Sequence, residues 1–343
     1  MVESSASVFD PQSALSTRRN AVRLGGMSRA VETLPRVAEN ERIRTDGRAQ
    51  PAFRDDLRRI PSVRNGVSVM ALYLQTALLL AAVIVTPGWW RLLVWPIVFL
   101  LMGRTHAQFA SLMHEAAHRL LLKKKSLNDW VGRWLLGYPS FTTTEGYRRV
   151  HMAHHREEFG PEEPDIALYA NYPVPAASLH RKLWRDATAR TGIKLLRQQL
   201  SSLGNPNLPA RHVQYKIWAV QAVMLGASIA AGVWWLYPLF WLLPYLTVWR
   251  VINRLRSIAE HGGLMASKDR RVTTHSVRQH PAARFILVPY KIGWHLAHHV
   301  DSGVPFRNLP RYHEALREAG YVDDTVEYVS YRALWKAVQI PDQ

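Results

Sequence analysis

The sequence predicts an all-α integral membrane protein with four transmembrane helices, arranged as two hairpins with a helical cytosolic cap. Three observations predict this class. Four long apolar segments occur in two pairs, a short aromatic turn joins each pair, and almost all basic residues lie outside those turns. The histidines are grouped in short clusters near the ends of the apolar segments or in the polar regions between them. The cytosolic cap is therefore expected to carry histidine boxes.

The first hairpin is predicted from two apolar segments. Residues 67–86 carry no charge and are long enough for a helix that crosses a bilayer. Pro87-Gly88-Trp89-Trp90 then forms a turn with aromatic anchors of the kind that lie at a membrane–water interface. A second span is predicted over residues 92–113. Its polar residues are expected to face the interior of the bundle, because such groups are rarely exposed to lipid.

The second hairpin has the same pattern. Residues 217–233 are uncharged, residues 234–238 form an aromatic turn, and a last span is predicted over residues 239–256. Between the hairpins, residues 126–141 are apolar but too short to span, so we expect them to lie at the membrane interface. Residues 156–215 are polar and are predicted to form part of a soluble cap.

The distribution of charge predicts the orientation. The chain has 44 Lys and Arg against 26 Asp and Glu, a formal net charge of +18. The two predicted turns contain a single basic residue, Arg91. Because basic residues are retained on the cytoplasmic side, the rest of the chain and all of the histidine clusters are expected there. We predict a multi-pass protein, in a bacterial inner membrane, with its site on the cytoplasmic face.

Three regions are predicted along the chain. Residues 1–60 form a basic, partly disordered cytosolic segment, in which residues 53–60 are either a membrane-surface helix or a solvated linker. Residues 61–315 form the membrane domain with its site, and residues 316–343 form a cytosolic tail. The sequence has no cysteine, which excludes disulfides, thiolate metal sites and cysteine-bound iron–sulfur clusters.

Two identical histidine patterns predict a metal site. The pattern His-x-x-His-His occurs at residues 151–155 and again at residues 295–299. On a helix, positions i, i+3 and i+4 lie on one face, and neutral imidazole is the commonest metal ligand among side chains. A His-x-x-x-His pair and a further histidine lie at the ends of predicted spans. The candidate ligands are His114, His118, His151, His154, His155, His261, His295, His298 and His299.

The number of histidines favours two metal ions. One ion takes four to six ligands, so nine imidazoles exceed what a single ion uses. Nearby acidic residues are expected to orient the ring N–H groups from outside: Glu115, Asp165, Glu260 and Asp301. Residues 114–118 also match the His-Glu-x-x-His pattern of zinc metalloproteases, but such a site leaves the two triplets without a role. A membrane zinc hydrolase and a metal transporter are the alternatives from other classes.

The three histidine boxes, HEAAH, HMAHH and HLAHH, resemble those of the membrane fatty acid desaturases and their hydroxylase relatives. The resemblance extends from about residue 65 to residue 315 and includes Glu163-Pro164-Asp165 and residues 304–310. It differs at Ser257, where some relatives have an asparagine that holds a metal-bound water. Three residues separate His114 from His118. The acyl-coenzyme A desaturases usually have four residues between these histidines and are therefore less similar.

The resemblance implies an O2-dependent oxidoreductase with two iron ions. Histidines of the boxes would be the ligands, and His261 matches an additional histidine that many relatives have. The family removes hydrogen from an unactivated C–H bond of a lipid or fatty acyl substrate. Electrons would come from a separate donor, a ferredoxin or a cytochrome b5 with its reductase, and a basic surface suits such acidic partners. No nucleic acid is expected. The boxes do not separate desaturation from hydroxylation or carotenoid ketolation.

Overall fold

The computed structural model describes residues 22–160, 163 and 165–340, and these residues are mostly helical. The all-α prediction is confirmed. The α-helices are α1 (Pro51–Leu57), α2 (Ser62–Val85), α3 (Arg91–Ala117), α4 (Lys125–Val131), α5 (Thr144–Arg156), α6 (Ile166–Tyr169), α7 (Ala176–Ala187), α8 (Arg190–Ser201), α9 (Leu208–Ala230), α10 (Leu243–Leu246), α11 (Val248–His261), α12 (Arg270–Thr273), α13 (Pro281–Ile286), α14 (His295–Val300), α15 (Leu309–Glu318) and α16 (Tyr331–Ala337).

Helices α2 and α3 form the first predicted hairpin. Each is longer than its predicted span, and both extend beyond the apolar segment at the end that leads to the histidine boxes. The indole of Trp95 donates to the Val83 carbonyl at 3.2 Å, and the Gln75 amide donates to Gln108 at 2.8 Å. The polar residues of α3 therefore face the neighbouring helix, as the sequence predicts.

Among the residues that the structure describes, two segments are long and apolar enough to cross a membrane. They are Pro51–Val85 and Gly88–Ala117, which contain α2 and α3. The second predicted hairpin differs from this pattern. Helix α9 begins nine residues before residue 217, and its added turns carry Arg211 and Lys216.

The segment predicted as one span over residues 239–256 is divided into three helical pieces, and its crossing of a membrane stays a prediction. A π-helical turn, Pro238–Leu242, leads into α10, and α11 begins after a break at Thr247, where φ is −119° and ψ is −85°. Pro244, which has no N–H to donate to the Phe240 carbonyl, lies where the π-helical turn gives way to α10. The break redirects α11, which ends at His261.

The turns of the two hairpins lie at the same end of the molecule. The Trp95 ring, near the start of α3, stacks on Trp235 in the second turn with ring centroids 5.2 Å apart. The Tyr237 hydroxyl donates to Gln221 of α9 at 2.8 Å, which ties this turn to its own helix. Helices α3 and α11 run from this end towards the histidines at their last turns.

The chain on both sides of the helical bundle packs against it. Phe53 and Leu57 of α1 are buried against the rest of the protein, and the membrane-surface helix over residues 53–60 stays a prediction. The Tyr312 hydroxyl of α15 donates to the Gly47 carbonyl at 2.9 Å. The boundary predicted at residue 315 falls within α15, because helix packing continues through it.

Short parallel strand pairs attach the end of the chain to the cap. Strand β1 (Val174–Pro175) pairs with β4 (Gln339–Ile340), and β2 (Ser276–Val277) pairs with β3 (Glu327–Tyr328). The predicted tail from residue 316 is thus part of the folded structure up to residue 340. Residues 1–21 and 341–343 of the predicted terminal segments lie outside the described residues.

Candidate metal centre

The structure brings all nine predicted histidines together. His114 lies in the last turn of α3, and His118 is the first residue after that helix. The triplet at residues 151–155 occupies the last turns of α5. His261 is the last residue of α11, and the triplet at residues 295–299 forms most of α14. Helix α11 stops there because Gly263 adopts φ +74°, where a side chain would also meet the Tyr172 carbonyl. Four segments far apart in sequence therefore meet at the site.

The imidazoles form two groups. We call the first the box-one group, which contains His114, His118, His151, His155 and His298 with ring nitrogens within 4.8 Å of one another. The second, the His261 group, contains His154, His261 and His299, and His295 joins it because its Nε2 lies 2.9 Å from Nε2 of His261.

His155 links the two groups. Its Nε2 lies 3.0 Å from Nε2 of His151 and 3.0 Å from Nε2 of His298. It also belongs to a set with Glu158 and His299 whose ligand atoms are within 4.8 Å of one another. Two neutral imidazole nitrogens that face each other at such distances are expected where both point at a shared cation.

Burial keeps these imidazoles neutral. It lowers the pKa of His151, His155, His298 and His299 well below the usual value, and the neighbouring imidazoles lower it further. A metal ion requires the neutral form of histidine, because the lone pair must be free. These four imidazoles therefore need no deprotonation step to bind metal near pH 7.

Hydrogen bonds from outside the two groups orient three of the rings. Nδ1 of His154 donates to Glu163 at 2.8 Å, Nδ1 of His261 donates to the Thr273 carbonyl at 2.8 Å, and Nδ1 of His299 donates to Glu158. With Nδ1 protonated, each Nε2 lone pair is free to face inward. Burial acts to lower the pKa of His154, but the hydrogen bond and charge of the Glu163 carboxylate outweigh burial, so the pKa of His154 is raised.

The two acidic partners, Glu158 and Glu163, were not assigned this role from the sequence. Glu158 and Glu163 are buried, and Arg270 contacts Glu158 at 2.6 Å, which places a positive charge beside that carboxylate. The signal for Glu163 was its position shortly after the second box. The predicted role is wrong for Glu115, which accepts from the Phe306 N–H at 3.1 Å, and for Asp301, which pairs with Arg58 at 2.7 Å.

The donor set fits metal ions. Nε2 of His118 and Nε2 of His299 are buried, and neither has a hydrogen-bond partner within the described part of the chain. Buried polar nitrogens without partners are costly unless a ligand satisfies them. Nine nitrogen donors without a thiolate suit iron, zinc or copper by ligand type.

Replacing Glu163 by Gln is expected to weaken metal binding by about ten- to a hundredfold, the usual cost of losing a group that orients a ligand. The glutamate oxygens accept from His154 and from the Phe159 and Asp165 N–H groups, so an amide NH2 would face one of these donors. The measurement is the metal retained during titration with a chelator. Glu157→Gln is the matched control, since Glu157 pairs with Arg156 and not with an imidazole. Equal retention in both variants would contradict the role of Glu163.

A helical fold whose long apolar hairpin ends in a buried multi-histidine cluster defines a class of membrane-associated metal-dependent proteins. The comparisons identify the family within that class. The family model for fatty acid desaturases matches residues 87–332, which is most of the chain. The protein therefore belongs to the fatty acid desaturase family, and it is an oxidoreductase of that metal-dependent family.

Three characterised relatives are similar at low identity. Dihydrorhizobitoxine desaturase of Bradyrhizobium elkanii is 28% identical over 64% of this chain and 66% of its own length. The sn-1 acyl-lipid omega-3 desaturase (ferredoxin) of Synechocystis sp. is 24% identical over 73% of this chain and 76% of its own. The sn-1 oleoyl-lipid 12-desaturase of Anabaena variabilis is 24% identical over 74% of this chain and 79% of its own.

Proposed function

We propose that the protein is a membrane di-iron desaturase that uses O2 to introduce a double bond into an unactivated alkyl chain of a lipid substrate. The observation that carries this proposal is the pair of histidine groups joined by His155. A single structural zinc would leave at least half of these ligands without a purpose. A zinc hydrolase is disfavoured for the same reason, because it would use only part of the cluster.

We assign one iron to the box-one group and the other to the His261 group with His295. When bound, the iron pair supplies the oxidising power that removal of hydrogen from a methylene group requires. Glu158, Glu163 and the Thr273 carbonyl hold the ring tautomers that ligation needs. Burial of the cluster keeps water away from it until a substrate is in place.

We also propose four membrane spans, with α9 and the broken segment of α10 and α11 as the second hairpin. The stacking of Trp95 on Trp235 supports turns on one side of the membrane, and the near absence of basic residues from those turns supports the outer side. The metal centre then lies on the cytoplasmic face of a bacterial inner membrane.

The reaction needs an electron donor. Removal of two hydrogens from the substrate while O2 is reduced to two waters consumes two electrons and two protons from outside. One relative is named as a ferredoxin-dependent enzyme, and the net charge of +18 favours an acidic donor. We propose a separate ferredoxin or a cytochrome b5 with its reductase, and a lipid acyl chain as substrate because two relatives are named acyl-lipid or oleoyl-lipid desaturases.

Metal analysis of the purified protein, combined with lipid mass spectrometry of cells with and without it, tests the proposal. We expect close to two irons per chain and a lipid species that has lost two hydrogens. One zinc per chain without iron would overturn it. A product that has gained one oxygen would keep the metal centre but make the protein a hydroxylase.

A further inference from the structure

A cavity of about 400 Å³ lies directly beside the metal centre. His114, His151, His154, His261 and His295 form part of its wall. Its volume is in the range of pockets that enclose a drug-sized molecule almost completely. This cavity is the natural position for the part of a substrate that reacts.

The lining of the cavity is chemically mixed. Its apolar residues include Ala110, Met113, Phe141 and Leu168. Another part of the lining is one face of α11. Its residues follow helical spacing: Trp249, Arg250, Asn253, Arg256, Ser257, Glu260 and His261. A cavity built only for a hydrocarbon chain has no use for this polar face, since each buried polar group without a partner costs stability.

Arg250 has free hydrogen-bonding capacity on this face. Its Nε donates to the Tyr245 carbonyl at 3.1 Å, and its guanidinium lies over the Tyr245 ring, 4.1 Å from the centroid. Its Nη2 is buried and has no hydrogen-bond partner among the described residues. The guanidinium is thus fixed in position from one side while a buried donor atom remains for a ligand.

The neighbouring charges leave Arg250 as the cation available in the cavity. Arg256 pairs with Glu260 at 3.1 Å, so these two charges offset each other. Arg254 pairs with Asp186 at 3.0 Å, so these two charges offset each other as well. Asp165 also lines the cavity, and burial raises the pKa of its carboxyl group. An anion would therefore be disfavoured near Asp165 and favoured beside Arg250.

A second, smaller pocket adjoins the cavity at Arg250. It has a volume of about 70 Å³ and shares Arg250, Asn253 and Ser257 with the main cavity. Thr191 adds a hydroxyl to its wall, which the mutually paired Arg254 and Asp186 also line. The polar groups thus surround a small recess rather than a long tunnel, which suits a compact charged group.

We propose that the substrate carries a free anionic group, a carboxylate or a phosphate, that Arg250 and Asn253 bind inside the cavity. This inference rests on the proposed function, because it specifies the substrate of the same site. Helical rise places Arg250 about 16 Å along α11 from His261. The reacting carbon is accordingly remote from the charged group, and the apolar residues of the lining contact the alkyl part between them.

Binding of matched amphiphiles to the iron-loaded protein in phosphatidylcholine nanodiscs tests this inference. We expect dodecanoate or dodecyl phosphate to bind roughly ten- to a hundredfold more tightly than methyl dodecanoate, the factor that a hydrogen-bonded charge contributes. Arg250→Gln should remove most of this preference, Arg250→Lys should retain part of it, and Asn253→Leu should reduce it. Whichever of the two anions binds more tightly identifies the anionic group as a carboxylate or a phosphate.

The matched control is Arg185→Gln, which makes the same change in net charge at an exposed position of α7 outside the cavity. Equal binding of the ester and the anions by the unaltered protein, or a preference that Arg250→Gln and Asn253→Leu leave unchanged, would overturn the inference. So would the absence of binding by every amphiphile. Because binding is measured without turnover, a failure here is distinguishable from a failure of the proposed function, which metal analysis and lipid mass spectrometry test.

Discussion

His155→Ala is expected to abolish activity and to remove most of the bound metal. Its ring nitrogen lies within 4.8 Å of ligand atoms in both histidine groups, so its loss affects both proposed iron sites together. Loss of a group that merely orients a ligand costs up to about a hundredfold, and loss of a shared ligand should cost more. The measurements are iron per chain and substrate-dependent O2 consumption.

The fold should survive this change, because His155 is at the end of α5 and contacts mainly other imidazoles. The amount of protein in the membrane fraction and its helical circular dichroism report this directly. His212→Ala is the matched control, since His212 is exposed on α9 outside the cluster. Two irons per chain and undiminished turnover in His155→Ala would refute the ligand assignment.

Asp186→Ala is expected to lower the free energy of unfolding by about 3–5 kcal/mol, the usual cost of leaving a buried charge without its partner. Asp186 of α7 is 1% exposed and binds the Arg254 guanidinium of α11, with one contact at 3.0 Å. It also accepts from the Thr191 hydroxyl at 2.5 Å. Denaturation in detergent micelles, followed by circular dichroism, measures the change.

Two comparisons make this result specific. Asp324→Ala removes an exposed partner of Arg278 and should cost no more than about 1 kcal/mol. The double variant Asp186→Leu with Arg254→Met should recover most of the lost stability, because apolar residues often replace a buried ion pair without penalty. If Asp186→Ala were no more destabilising than Asp324→Ala, the pair would not hold α7 against α11.

The long helices could be predicted from sequence because continuous apolar residues admit few other structures. Residues 67–85 lie within α2 and residues 92–113 within α3. The break at Thr247 was missed because hydropathy averages over a window and does not report backbone angles. The packing of α1 against α15 depends on contacts between distant parts of the chain, such as Arg311 with Asp56, which no local pattern reports.

The histidine cluster was predictable for a similar reason. Spacing by three and four residues places side chains on one helix face, so the two triplets already indicated convergent rings. The link through His155 was not predictable, because it depends on how α5 and α14 approach each other. The roles of Glu158 and Thr273 depend on tertiary contacts as well, and a backbone carbonyl has no sequence signature.

The scattering of the ligands along the chain has a consequence for biosynthesis. The box-one group requires His298 and the His261 group requires His299, although their first members are His114 and His154. During translation, neither group is complete until nearly nine-tenths of the chain has been synthesised. Metal captured earlier would be held by partial sets, so correct loading must follow assembly of the helices. The folded protein, rather than the nascent chain, is therefore the acceptor that a cellular metal supply has to recognise.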